Sequence, residues 1–415
     1  MKKATFILTI TLAFGLFAGC CFAAEAMGID IHGFISQGYL KTTHNYFYGD
    51  TVDGSLEFNE FGINLAEEPT DHIRVGLQIL ARDFGSNGDD KLTIDWAFGD
   101  YRWKDWLGVE VGKIKTPKGL YNETRDVDML RTYIFLPQSV YSEILRDTDL
   151  GLFGAGVYGD IHMNKAGLLS YQIIYGTPNI SPNESVSQAL QGTTAYKTPI
   201  QNDSINVDKK YVVGLVWETP LEGLRLGATY DNSPIFTTAH ATMSIPAIFL
   251  YEGDMVIGNF DKYTNTVISA EYTVGNLLLA SEYIRTAKKF LITFSGVPHD
   301  GGYITADGWY LGSTYQVSDW FHLGGYYSES YNNTADREGT AVSRPGNDIP
   351  HRSYFKDACL TTNFIVNEYW NIKLEGHRFI GTHRISALDQ VPDANGKVFA
   401  HKDWNLFAAK ITFSF

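Results

Sequence analysis

Apolar and polar residues alternate with a period of two along most of this 415-residue chain, in segments of about 10 to 13 residues. Ile73, Val75, Leu77, Ile79 and Ala81 fall on one side of an extended segment, with Arg74, Gly76, Gln78 and Arg82 on the other. Leu224, Leu226, Ala228 and Tyr230 oppose Arg225, Gly227, Thr229 and Asp231, and Ile372, Leu374 and Gly376 oppose Lys373, Glu375 and His377. Successive side chains of a strand point to opposite faces, so each segment reads as a strand with one apolar face. A strand of a soluble sandwich averages about 5–6 residues, whereas one crossing a bilayer at a tilt needs about 9–11. Length therefore favours strands whose apolar faces meet lipid. Composition agrees. With 25 Tyr, 25 Phe and 8 Trp and only 19% charged residues, the chain is too apolar to stay disordered. Beyond the N-terminus no window carries the ~18 apolar residues of a spanning helix. The 47 acidic residues against 33 Lys and Arg give a net charge of −14, which would repel nucleic acid.

The spacing of the segments sharpens this. Strands are expected near 29–41, 55–66, 71–82, 91–101, 106–115, 150–160, 167–176, 210–219, 223–232, 263–274, 276–287, 304–317, 321–331, 353–366, 370–380 and 404–415. Links after the even-numbered strands are tight, as in Glu67-Glu68-Pro69-Thr70, Pro220-Leu221-Glu222 and Ser318-Asp319-Trp320. Links after the odd-numbered ones (42–54, 83–90, 116–149, 177–209, 233–262, 288–303, 332–352 and 381–403) are long and polar. Short turns at one end and long loops at the other mark a transmembrane β-barrel of the bacterial outer membrane. The fold expected is all-β, a transmembrane antiparallel up-and-down barrel of 16 strands. Ile245 to Tyr251 is apolar enough to hide a further hairpin within 233–262, which would raise the number to 18.

Both ends fit that reading. Met1-Lys2-Lys3, the apolar run Ala4–Gly19 and Ala24-Glu25-Ala26 form a secretory signal peptide over 1–26, with the barrel spanning 27–415. Cys20 follows a sequence only loosely like a lipoprotein signal, and if Cys20 and Cys21 leave with the leader, Cys359 remains alone. Trp106, Trp320 and Trp370 each follow an acidic turn and are expected to form an aromatic girdle at the headgroups. In the last strand Phe407, Ala409, Ile411, Phe413 and Phe415 share one face. That terminal aromatic pattern resembles the carboxy-terminal signature of outer-membrane proteins, which implies that Phe413 and Phe415 are read by the barrel-assembly machinery.

The architecture resembles the bacterial porin family over the whole mature chain. Gly112-Lys113-Ile114-Lys115-Thr116-Pro117-Lys118-Gly119 is similar to a strand end of phosphate-selective-type porins. The resemblance implies a water-filled channel for passive diffusion of small hydrophilic solutes or ions, a lipid-embedded wall, assembly as a homotrimer, and a third loop, 116–149, folded into the lumen. No ladder of arginines and lysines comparable to an anion-binding one is present. The loop carries Lys118, Arg125, Arg131 and Arg146 against Glu123, Asp126, Asp128, Glu143, Asp147 and Asp149. Tyr133 to Leu136 is expected to pack on the inner wall or to fold as a short plug helix. Inward positions of the strands carry Arg74, Arg82, Asp95, Glu110, Arg225, Asp231, Lys373, Glu375 and Lys410. Arg74, Arg82, Arg125 and Arg131 are expected to face Asp126 and Asp128, giving a transverse field across a constriction of mixed charge.

Other chemistries lack their residues. No nucleophile elbow, P-loop or cysteine pair occurs in the mature chain, so no catalytic set and no cofactor is assigned. Glu375 and His377 lie one strand repeat apart, but zinc wants a third converging ligand. Asn87, Asp89 and Asp90 lack the spacing of a calcium loop. The competing reading is structural: a barrel that sheathes a partner protein, such as a multihaem electron conduit. A sheath needs a lumen free of its own loop, so the position of 116–149 discriminates the two. An adhesin acting through its outer loops would carry few inward charges, and this chain has many.

Overall fold

The computed structural model describes residues 28–415 except 86–87, 89, 179, 181–199, 208, 243, 245, 247–248, 341–348, 387–388 and 392–399. The expected leader 1–26, Cys20, and Asn87 and Asp89 lie outside the described residues. Eighteen strands are described: β1 (Asp30–Thr42), β2 (Asn59–Thr70), β3 (Ile73–Asp83), β4 (Thr93–Lys104), β5 (Leu107–Lys115), β6 (Gly151–His162), β7 (Leu168–Thr177), β8 (Ile200–Val207), β9 (Lys210–Glu218), β10 (Leu224–Asn232), β11 (Ile235–Ala241), β12 (Met255–Val274), β13 (Leu277–Phe294), β14 (Val297–Ser318), β15 (Phe321–Tyr331), β16 (Tyr354–Ile365), β17 (Trp370–Gly381) and β18 (Asp403–Ser414).

Sixteen of these close an antiparallel ring, running β1 to β7, then β9, β10 and β12 to β18, and back to β1. The other two, β8 and β11, pair with each other, and β11 pairs with Met255–Phe260 at the start of β12. Beyond the irregularity between Asn259 and Lys262, β12 changes partner and runs along β10. The segment 233–262 thus does hold a hairpin, but the hairpin stands above the ring on the long-loop side, and the wall stays at 16. The link expected at 288–303 is instead an unbroken extension of β13 and β14, which turns at Ser295 and Gly296 through positive φ. Ala239, Ala241, Leu250 and Val256, with Ile200, Ile292 and Phe294 against them, give this extension its own small core. Apolar burial explains why a stretch outside the lipid keeps strand pairing at all.

Closure rests on β1 and β18, paired from Phe34↔Ser414 to Thr42↔Leu406. Gly33 and Phe415 exchange two backbone hydrogen bonds of 3.0 Å. Pairing the first strand with the last removes both sheet edges, whose open N–H and C=O groups would each cost several kcal/mol in lipid. Side chains alternate as expected. Phe407 and Ile411 of β18 point outward and are 46% and 40% exposed, while Trp404, Leu406, Ala408, Lys410 and Thr412 point inward and are buried. Phe413 packs on Trp370, with ring centroids 4.9 Å apart. Trp106, Trp320 and Trp370 are exposed at the short-turn ends, joined there by Trp103 and Tyr369.

The inside of the ring holds apolar cores as well as polar groups. Phe47 and Tyr48, from the link between β1 and β2, pack with Phe58, Phe84, Ile134, Phe135, Phe355, Phe379, Trp404 and Leu406. A second cluster joins Leu136, Val140 and Tyr141 to Val267, Ala280, Ile284 and Tyr310 on β12–β14. The residues Ile134–Ser142 between these clusters are buried without interruption.

The closing seam yields a test. A Cβ on Gly33 would fall 2.5 Å from the Phe415 ring and 2.8 Å from the Gly62 carbonyl oxygen. Gly33→Val should cost about 1–3 kcal/mol by overpacking, read as a lower urea midpoint of the detergent-folded barrel. Gly99→Val, where a Cβ meets nothing within 4 Å, should leave the midpoint nearly unchanged.

Candidate functional site

The inward-folded segment 116–149 follows β5, which passes close to β4 at Gly112. Gly112 has φ of +135°, and a Cβ there would lie 2.2 Å from the Ala97 carbonyl oxygen, so this close approach with β4 requires glycine. The loop's base is tied shut. Thr116 Oγ1 donates to the Asp149 carbonyl, and Asn122 Nδ2 donates to the carbonyls of Thr116 (3.0 Å) and Asp149 (2.9 Å). Lys118 Nζ lies 2.5 Å from the Asp149 carboxylate, which Lys210 of β9 also approaches at 3.6 Å. Thr229 Oγ1 on β10 donates to the Pro117 carbonyl at 2.7 Å.

From this base the loop crosses the lumen and is held at several points on the far side of the ring. On one side Glu282 of β13 accepts hydrogen bonds from Tyr141 Oη (2.5 Å), Tyr310 Oη (2.8 Å), Ser269 Oγ (2.6 Å) and the Leu120 N–H (2.9 Å). Four strands further round the ring, Glu375 of β17 accepts from the N–H groups of Ile134 (2.8 Å) and Phe135 (3.0 Å). Beside it, Asp128 lies 3.0 Å from Lys373 Nζ, 3.3 Å from Lys410 Nζ and 3.4 Å from Arg131, and accepts from Thr412 Oγ1 at 2.8 Å. Lys373 also donates to the Asp128 carbonyl at 2.7 Å. Glu143 joins Arg125 (2.7 Å) to Arg82 of β3 (2.9 Å). Asp126 meets Lys115 and Gln78 Nε2, both at 2.5 Å, and Arg146 reaches Asp95 of β4 at 3.1 Å. A cavity of about 10 Å³ remains among Arg82, Arg125, Arg131, Arg146, Lys410, Glu60, Asp126 and Glu143, room for about one water.

These partners decide the protonation of the loop. Burial alone would raise the Asp128 carboxyl, but Lys373, Lys410 and Arg131 more than offset it and hold it well below the usual carboxylate range. Burial acts against Glu143 in the same way, and Arg125, Arg82 and Arg146 hold it far down. Tyr141 and Tyr121 are pushed up, first by burial and then by Glu282 and Glu271 respectively, and stay protonated as donors.

The structure sorts the expected site residues into two groups. Arg82, Asp95, Lys118, Arg125, Asp126, Asp128, Arg131, Lys373 and Glu375 all lie where the loop meets the wall. Arg74 and Arg225 do not. Arg74 sits toward the short-turn end, 3.5 Å from Asp100 and 4.0 Å from Glu110, and Arg225 pairs with Glu271 at 2.7 Å. Their side chains remain 46% and 40% exposed. Of the expected opposition, Arg131 meets Asp128, whereas Arg82 and Arg125 meet Glu143 and Asp126 meets Lys115. Lys115, Gln78, Glu282 and Tyr141 were not singled out in the sequence. Phe47 and Tyr48 sit in a link that reads as polar, where the run Tyr46-Phe47-Tyr48 was the available signal.

No family model and no curated protein matches the sequence. Solved structures do. OprB of Pseudomonas putida superposes with a TM-score of 0.56 at 11% identity, over 96% of this chain and 97% of that one. Outer-membrane-expressed OmpT of Vibrio cholerae gives 0.55 at 13% over 93% and 97%, and an anion-selective porin from Comamonas acidovorans gives 0.54 at 11% over 93% and 99%. The fold is that of the bacterial outer-membrane porins. Within this porin fold the third loop is fastened at its base, at its middle and at its far end.

Removing Asp128 should release one end of that loop. Asp128→Ala leaves Lys373 a buried cation without its carboxylate, while Lys410 keeps Glu60 at 2.5 Å; the change should cost about 3–5 kcal/mol and open Arg125 and Arg131 to trypsin in the folded barrel while the wild type resists. The carboxyls of Asp128 and Glu143 are held below their ordinary values, so their contribution is complete above the free carboxylate range near pH ~4 and is lost only as pH falls through the lowered values. Cleavage of the loop by an acid protease should therefore begin only in strongly acidic solution, and the loop should stay intact near pH 5.

Proposed function

We propose that this protein is an outer-membrane porin: a narrow, water-filled passage for passive diffusion of small hydrophilic solutes or ions past a fixed third loop. The observation that carries the proposal is the loop itself, leaving the wall between β5 and β6 and bonded across the closed 16-strand ring to Glu282 of β13 and Glu375 of β17. A ring of this size encloses an aqueous lumen, and a loop across it sets the limiting aperture. The inward groups that keep solvent contact, Arg74 beside Asp100 and Glu110 and Arg225 beside Glu271, supply mixed charge along the passage. Paired charges of this kind give weak ion preference rather than a selective site.

The loop's position supports the channel over the sheath, since a partner threaded through the ring would compete with residues 134–142 for the same space. The reading includes no enzymatic role and no cofactor. A Vibrio cholerae OmpT structure is described as a trimer form, and a homotrimer is proposed here on that likeness. Export by the signal peptide 1–26, and recognition of Phe413 and Phe415 by the barrel-assembly machinery, belong to the same proposal.

Planar-bilayer recording of the detergent-folded protein across a KCl gradient tests it. Discrete steps with a reversal potential near zero or slightly cation-biased are expected, and silence from a folded barrel would overturn the channel. An exposed charge acts through water and is worth about 1 kcal/mol or less, so Arg74→Ala with Arg225→Ala should shift the ion permeability ratio toward cations by about two- to fivefold. Conductance steps should be larger in Asp128→Ala than in the wild type.

A further inference from the structure

We infer that Cys359, Glu375 and His377 form a binding site for a zinc-like divalent ion in the barrel wall directly behind the third loop. Cys359 and His377 are register partners on β16 and β17, and both point inward. Glu375 lies two residues from His377 on the same face of β17. One donor atom from each of the three lies within 4.8 Å of the other two, and all three side chains are buried. This supplies the third ligand that the Glu375–His377 pair lacks in the sequence, drawn from a strand where nothing adjacent in sequence announces it.

The surroundings suit the ion. A thiolate, an imidazole and a carboxylate are the donor types of zinc rather than of calcium or magnesium, which take oxygen. His377 Nδ1 is 2.9 Å from Asp357, leaving Nε2 on the side of Glu375 at 2.8 Å. A carboxylate on the far ring nitrogen is the common orienting contact of a metal-bound histidine. Asp357 is itself held by Tyr326 Oη at 2.9 Å.

A thiolate and a neutral imidazole are the metal-binding forms of cysteine and histidine, so a dication entering here would displace a proton from Cys359 and leave His377 Nε2 free to coordinate, which limits the change in buried charge. Three protein donors leave one coordination position. Because Glu375 also holds the N–H groups of Ile134 and Phe135, the ion would brace the loop's contact with β17.

The experiment refolds the full chain in detergent with Zn²⁺ or Co²⁺, removes loose metal by gel filtration, and counts the ion per folded barrel. The wild type should retain about one ion, and the Co²⁺ form should show a thiolate-to-metal charge-transfer band. Cys359→Ser, a near-isosteric change, should fold but lose that band and at least tenfold in retained metal. His401→Asn, which breaks the stacked His44–His401 pair at a ring separation of 4.5 Å, should retain the ion and the band. No retained metal in the folded wild type, or equal retention in Cys359→Ser, would overturn the site. Neither result depends on whether the barrel conducts.

Discussion

A carboxylate buried among cations does more for this molecule than any other single contact. Asp128 brings Lys373, Lys410, Arg131 and Thr412 to one point inside the ring. Loops lie at protein surfaces because their backbone groups need partners and their charges need water. A segment that leaves solvent must find both on the surface it meets. Here the inner wall provides them: ammonium and guanidinium groups for the carboxylates, Glu375 for two successive N–H groups, and Glu282 for the Tyr141 phenol and the Leu120 N–H. Once those are in place, Phe135 and Ile134 can pack without leaving a buried charge unpaired.

The apolar groups then settle how rigid the loop is. Phe135 stacks on Phe58 at 5.5 Å, and Phe379 packs tilted against Trp404 at 4.2 Å, so part of the lumen is filled like a protein core. Close-packed interiors do not deform continuously, and residues 134–142 behave as a fixed bar. Tyr48, from the first long link, locks onto it by donating to Gln138 at 3.0 Å. The inward groups that still meet solvent include Arg74 of β3 and Arg225 of β10, both near the short-turn end.

Much of this was legible in the residues. Alternation from Ile73 to Arg82 and from Ile372 to His377 is a local property of an extended chain, and strand after strand falls within a few residues of where the pattern puts it. The tight turns were legible because Pro, Gly and acidic residues interrupt apolar runs there. The hairpin of β11 and β12 shows the limit, since its strands alternate like the wall strands while the ring closes beneath them. Which partner a strand takes is set by what already stands beside it. The same holds for the site. Membership of the charged cluster followed from facing inward, but pairing did not, because a loop of 34 residues can offer either Glu143 or Asp126 to Arg82. Phe47 and Tyr48 were hidden by the polarity of their neighbours, and Cys359 by lying on a strand apart from His377.

The central claim is that the third loop is a fixed part of the interior and not a surface loop lying over the mouth. Amide hydrogen exchange at Ile134 and Phe135 in the detergent-folded barrel tests it most directly, because their N–H groups are both donated to Glu375. The account predicts protection comparable with the amides of β17 and β18. Exchange as fast as in the exposed turns, with the barrel strands still protected, would contradict it.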